Sequence, residues 1–227
     1  MILIDEANQI RDVIEQIRRF NDGKETVSEM KHSGSRNWRQ MEWYGFHAEE
    51  ELRKMLIAQI GGSIGPTYGK TTFDYQKNGV WDIKAHPVND SKGKEKPWLI
   101  LNDSEAINAL IGDVGGVGFI ILSGKAEYDL DGAFKNWHEE FKGGESKYTK
   151  QRKASGRKSR LRKKAIEYVN FHVIHFDKND ILQGLNDGWI KGFQTGMRNS
   201  NDNPRREKFQ IRLDKVPQTN ILCSGVL

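Results

Sequence analysis

The sequence predicts an α/β (α+β) protein with a central mixed β-sheet flanked by helices, and three observations carry that expectation. Residues 71–86 read as a β-hairpin: the β-formers Thr71, Thr72, Phe73 and Tyr75 run into Asn78-Gly79, and Val80, Trp81 and Ile83 resume after it. An amphipathic helix over 41–60, stopped by Gly61-Gly62, leads directly into that hairpin. Beyond the hairpin, a capped helix precedes residues 117–122, which are apolar throughout between glycines, as in a strand buried on both faces. A helix between hairpin and buried strand is what a crossover unit requires.

At 227 residues the chain has the length of one domain with its own core. It divides into an N-terminal helical segment (1–32), a central core (41–122) and a basic C-terminal part (145–227). Charged residues make up 30% and hydrophobic ones 36% of the chain. No apolar run approaches the roughly 18 residues needed to cross a bilayer, so no membrane association is expected. The opening Met-Ile-Leu-Ile-Asp-Glu lacks a basic n-region and turns acidic at once, unlike a secretory signal. Cys223 is the single cysteine, which excludes an intramolecular disulfide or cysteine-based zinc site and fits a reducing, cytoplasmic setting. The formal net charge of +5 is unevenly placed: residues 147–164 carry ten Lys or Arg and no acid, which leaves the rest of the chain net acidic.

Taken in order, residues 5–20 form a helix whose Ile10, Val13, Ile14 and Ile17 make one apolar stripe. That stripe packs on the body of the protein or, alternatively, on a second copy. Residues 31–40 form a polar loop in which Arg36, Asn37 and Arg39 suit base edges, while Trp38 or Met41 suits a wedge between bases; an ordinary surface loop has the same composition. On the helix over 41–60, Glu49 falls within the apolar face formed by Phe46, Ala48, Leu52, Met55, Leu56, Ile57 and Ile60. A carboxylate there needs a partner, either Arg53 one turn on or a cation at the hairpin. Residues 98–101 are a short apolar run, and Asp103 or Ser104 caps a helix through Ile111. Residues 128–141 read as a helix closed by Gly143-Gly144. The basic stretch that follows offers Lys153, Arg157, Lys158, Arg160, Arg162 and Lys163 to phosphates. A solvated loop or a targeting signal would read alike. Residues 168–176 alternate as a strand with His172 and His175 on opposite faces, placed for packing rather than ligation, and 180–190 suggests a short helix broken at Gly188. Residues 196–207 form a polar loop whose Arg198, Asn199, Asn201 and Arg205 suit base readout, and Phe209, Ile211 and Leu213 alternate as a final strand at a sheet edge.

The chemistry concentrates on the hairpin. Asp82 and Lys84 are two apart and share one strand face, while Trp81, Ile83 and Ala85 point to the other. A three-residue loop at Lys77, Asn78 and Gly79, with Gly79 in the left-handed conformation, sets Asp74 directly across from Asp82; loops of two or four residues do not. Two facing carboxylates repel unless something positive lies between them, and a divalent cation with oxygen ligands is the simplest answer.

The order Gly45-x-x-Ala48-Glu49 on a helix, then Asp74, then Asp82-Ile83-Lys84 on the second hairpin strand resembles the PD-(D/E)XK nuclease superfamily, and within it a type II restriction endonuclease. The resemblance covers residues 41–122; it departs from the pattern in having Phe73 where many members have proline before the first acid. It implies a restriction-endonuclease-like core and an Mg²⁺-dependent endonuclease, with Mn²⁺ as a substitute, acting on double-stranded DNA to leave 5′-phosphate and 3′-hydroxyl ends. It further implies that Asp74, Asp82 and the Ile83 carbonyl hold the metal, that Glu49 binds a second ion or a water of the first, and that Lys84 orients the attacking water or offsets phosphate charge. A palindromic target would call for a homodimer. Two rivals stand beside this reading: a structure-selective nuclease such as a junction resolvase or repair enzyme, and a non-catalytic DNA-binding protein on the same fold.

Overall fold

A computed structural model describes residues 2–145, 147–156, 160–198 and 203–227, without the side chains of Lys147 and Tyr148. The expected DNA contacts Arg157, Lys158, Asn199 and Asn201 lie outside the described residues. Helix α1 (Ile2–Ile14) leads to strand β1 (Phe20–Asp22), then α2 (Gly23–His32), a 3-10 turn at Arg36–Arg39 and α3 (Trp43–Ile60). Short strands β2 (Thr67–Tyr68) and β3 (Thr71–Thr72) pair with each other, and β4 (Tyr75–Gln76) and β5 (Val80–Pro87) form the hairpin. There follow β6 (Trp98–Asp103), α4 (Ser104–Val114), β7 (Val117–Tyr128), α5 (Ala133–Phe141), α6 (Lys147–Ala154) and β8 (Lys163–Phe176). The chain ends with α7 (Lys178–Asp187), β9 (Ile190–Phe193), β10 (Lys208–Arg212) and β11 (Ile221–Val226).

The main sheet is mixed, in the order β1-β8-β7-β5-β4, with β11 also on β8. Strands β5 and β7 are parallel, joined through β6 and α4, and the other pairs are antiparallel. Alternation along the buried β7 divides the apolar side chains between two layers. Ile120 and Leu122 join Trp81 and Ile83 under α1, α2, α3 and α5, while Phe119 and Ile121 join Leu101, Ile107, Ile181 and Ile211 on the opposite face. This is the expected α+β architecture, a curled mixed sheet between helices.

Several expected elements are placed differently. The first helix ends at Ile14, yet its stripe, with Ile17 beyond it, is buried against the chain's own body. Residues 209–213 do not form a final edge strand: β10 lies between β6 and β9 in a separate three-stranded sheet, and β11 follows it. The helix expected over 128–141 starts only at Ala133, because β7 runs on to Tyr128 and the Asp129 carboxylate accepts the Phe134 and Lys135 N–H groups at 3.0 and 2.8 Å.

Over the two rungs of β4 the hairpin register is the expected one, Tyr75 opposite Trp81 and Gln76 opposite Val80. Its cause is different, since Gly79 is not left-handed. A carboxylate of α1 fixes the turn: Glu6 accepts from Asn78 N–H (3.1 Å), Gly79 N–H (2.9 Å) and Trp81 Nε1–H (3.1 Å). Space is tight at 79, where a Cβ would stand 3.0 Å from Leu3 Cδ2 and from Trp81 Nε1.

Candidate active site

The hairpin brings the two aspartates together. Asp74 N–H donates to the Trp81 carbonyl at 3.0 Å, one position off the Tyr75–Trp81 register. Asp74 therefore lies at a bend just before β4 and not, as the three-residue loop predicts, in a rung directly across from Asp82. Asp74 Oδ2 then accepts the Ile83 N–H at 2.7 Å. In a strand a residue's N–H and C=O emerge on the same edge, so the Ile83 carbonyl faces the edge on which Asp74 stands. Asp74 and Asp82 are only 5% and 2% exposed. Lys84 forms an ion pair with Asp82 on the shared strand face. Strand β6 completes the cluster: Asn102 Nδ2 donates to Asp82 Oδ1 at 2.5 Å, and its Oδ1 accepts from Lys84 Nζ at 2.9 Å. In the sequence Asn102 is only an amide at the end of an apolar run, with nothing to link it to Asp82.

From α3, Glu49 reaches the same cluster and lines the cleft with Asp74, Asp82 and Lys84. Arg53 Nη1 stands 3.8 Å from Glu49 Oε1, the structural one of the two partners expected for this carboxylate. Burial raises the Glu49 carboxyl above its ordinary range. Burial, then the charges of Asp82 and Glu49, push Asp74 up to about 9. Lys84 works against its own burial, but Asp82, Asp74 and Glu49 hold its ammonium above the usual lysine value. Three carboxylates therefore share one close ammonium.

These groups line a cleft of about 1250 Å³, together with Arg205, Arg206 and Lys208. Arg206 is tied to Asp103 at 2.7 Å, and Asp103 also caps α4. Among the described residues, no three His, Cys, Asp or Glu side chains are arranged as a finished cation-binding group. The hydrogen bonds account for this: Asp82 is turned to Lys84 and Asn102, and Asp74 to Ile83 N–H. The donor set nonetheless fits a hard divalent cation in kind, being all oxygen and carrying more negative than positive charge.

No protein family, curated protein or solved structure matches the chain. The site rests on its own geometry.

The expected DNA contacts divide into exposed and internal groups. Trp38 is no wedge: it is 7% exposed, edge-on to Phe141 at 5.4 Å and covered by Lys31 and Arg39. Asn37 is bound to Glu50 at 3.0 Å by its side-chain amide. Met41 is half-buried and lines a second cavity. Arg162 is 5% exposed, donating to Glu139 Oε1 at 2.7 Å and to His138 Nδ1 at 2.9 Å. Lys163 is buried beside Glu42 at 2.9 Å. Both were read as phosphate contacts because their neighbours in sequence are basic; in the fold, Arg162 immediately precedes β8, Lys163 begins it, and they neutralise acids from α5 and the start of α3. Lys153 is exposed but paired with Glu145. Arg36, Arg39, Arg160, Arg198 and Arg205 are exposed, and of these only Arg205 lines the carboxylate-bearing cleft. No helix among the described residues is long and apolar enough to cross a membrane.

Proposed function

We propose that the chain is an Mg²⁺-dependent, sequence-specific endonuclease of double-stranded DNA, of the type II restriction kind, leaving 5′-phosphate and 3′-hydroxyl ends. The observation that supports it is the convergence of Glu49, Asp74, Asp82 and Lys84 in one cleft that arginine and lysine also line. Asp74, Asp82 and the Ile83 carbonyl would hold the cation, with Glu49 holding a second ion or a water. Bound there, the ion supplies Lewis acidity toward a phosphoryl oxygen and lowers the pKa of water. Lys84, kept protonated by the surrounding carboxylates, donates toward the attacking water or the charge growing on the phosphate oxygens. Asn102 holds Lys84 and Asp82 in register, and Arg205, Arg206 and Lys208 bind the flanking backbone. A two-strand cut at a palindrome would pair two copies of the chain, one site per strand.

The purified protein incubated with phage DNA and Mg²⁺ tests this. Discrete fragments are expected. A smear would move the reading to a nonspecific or structure-selective nuclease, checked on branched DNA, and intact DNA would leave only a binding role. The burial of Trp38 and the bond that holds the Asn37 amide on Glu50 give the structure-selective alternative its one supporting observation, since they engage two expected DNA-contacting groups.

A further inference from the structure

A second cavity, of about 440 Å³, lies beside the carboxylate-bearing cleft and is basic, where the first is lined by acids and cations in equal number. Lys135 of α5, Arg152 of α6, Arg160 and Arg205 line it. The acids on its wall are already engaged: Glu139 by Arg162 at 2.7 Å and Glu42 by Lys163 at 2.9 Å. Among the described residues no carboxylate forms an ion pair with Lys135, Arg160 or Arg205. The cavity thus carries a net positive charge over a partly apolar floor that includes Phe46 and Met41. Two features join it to the cleft. Arg205 lines both cavities, and α3 borders both, presenting Phe46 to one and Glu49 to the other. Those positions are three apart, about 5 Å along a helix axis.

We propose that this cavity is a phosphate subsite that receives the backbone of the same nucleic acid strand beyond the carboxylate-bearing cleft, with Lys135, Arg160 and Arg205 as its cations. The inference rests on the endonuclease reading for the nature of the strand. A continuous cationic track is what a polyanion requires, and a charge-bearing cavity one helical turn from the acids takes a phosphate near the one under attack. Lys135 was not among the residues singled out by sequence, because it lies on α5, outside the basic stretch, and only the fold brings it to Arg160.

The test is binding of a fluorescent duplex, measured by anisotropy in EDTA over a range of KCl concentrations. The Lys135→Ala/Arg160→Ala variant should bind about tenfold more weakly at 100 mM salt, with the slope of log K against log salt shallower by about two. Lys178→Ala/Lys215→Ala, which removes equal charge from exposed positions outside both cavities, should leave the slope unchanged. An unaltered slope in the first variant, or equal flattening in the second, overturns the proposal. So does displacement of the duplex by millimolar inorganic phosphate but not by sulfate at equal ionic strength, which would mark a site for a small free anion. Because binding is read without divalent ions, a chain that shows the expected slopes yet cuts nothing in Mg²⁺ defeats the endonuclease reading alone. A chain that cuts but shows no change of slope defeats this one alone.

Discussion

Lys84 and Asn102 together decide the state of Asp82. The amine pairs with one carboxylate oxygen, the amide donates to the other, and Asn102 accepts from Lys84 in return. Removing the amine should therefore act on chemistry rather than on fold. Lys84→Ala is expected to lower cleavage about a hundred- to a thousandfold, as loss of one transition-state donor does, with DNA affinity within a fewfold of the parent; simultaneous loss of binding and of the native circular dichroism spectrum would contradict this. Asn102→Ala is expected to cost about 10–100-fold in activity, the usual effect of removing a group that orients a catalytic one. An activity equal to that of the parent would show that Asp82 and Lys84 need no such support. Glu49, Asp74, Asp82 and Lys84 were legible from sequence because spacing on a helix and on a two-residue strand period says which side chains share a face. Asn102 was not, because its link to Asp82 passes through twenty residues of chain and a strand from the second sheet.

At the scale of elements, the hairpin is aligned by α1. Glu6 is 1% exposed and takes three N–H groups from the turn and from Trp81. Glu6→Ala should cost roughly 2–3 kcal/mol, in line with losing hydrogen bonds to a buried charged acceptor, and it should reduce cleavage beyond what stability accounts for. A urea midpoint equal to the parent's would remove Glu6 from this role. The register of β5 on β7 depends on a second contact. Gly118 pairs with Trp81, and a Cβ on Gly118 would stand 2.1 Å from Trp81 Cε3. Gly118→Ala is accordingly expected to destabilise by about 3 kcal/mol or more, a cost typical of overpacking a full core, visible as a thermal shift of several degrees. The three-residue hairpin loop was correctly read from Asn78-Gly79, but for a reason that did not hold. The sequence shows a glycine at the turn; it does not show Leu3 of α1 and the Trp81 indole closing on it, or the Glu6 carboxylate that holds its N–H. Similarly, β1 and β11 were missed because each pairs only with β8, and neither has the alternation of an independent strand.

Across the whole molecule, charge is partitioned between interior and surface. The stretch over 147–164 is uniformly basic in sequence, yet the fold turns Arg162 and Lys163 inward and leaves Lys153 and Arg160 outside. Composition identifies such a segment but not its buried members, because burial depends on the acids that α5 and the start of α3 bring to it. The interior also holds neutral histidines: burial lowers His47, His86 and His138 to about 4. Their folded values lie below the unfolded value near 6.5, so their contribution is complete above pH about 6.5 and is lost as pH falls towards 4. Asp74, whose value is raised, works in the opposite sense. The urea midpoint should drop between pH 7 and pH 5, and it should drop less in His138→Phe, which keeps the stack on Phe134 and Trp137. Equal pH slopes in the two proteins would show that His138 does not carry its share.

The central claim, that these carboxylates serve one divalent ion, is tested most directly by titrating Mn²⁺ into the protein with duplex DNA and following the free ion by electron paramagnetic resonance. The parent chain should bind at least one ion per molecule, and Asp74→Asn/Asp82→Asn, still folded by circular dichroism, should bind none at that site. The same number of ions on parent and variant, or none on the parent, would contradict the account.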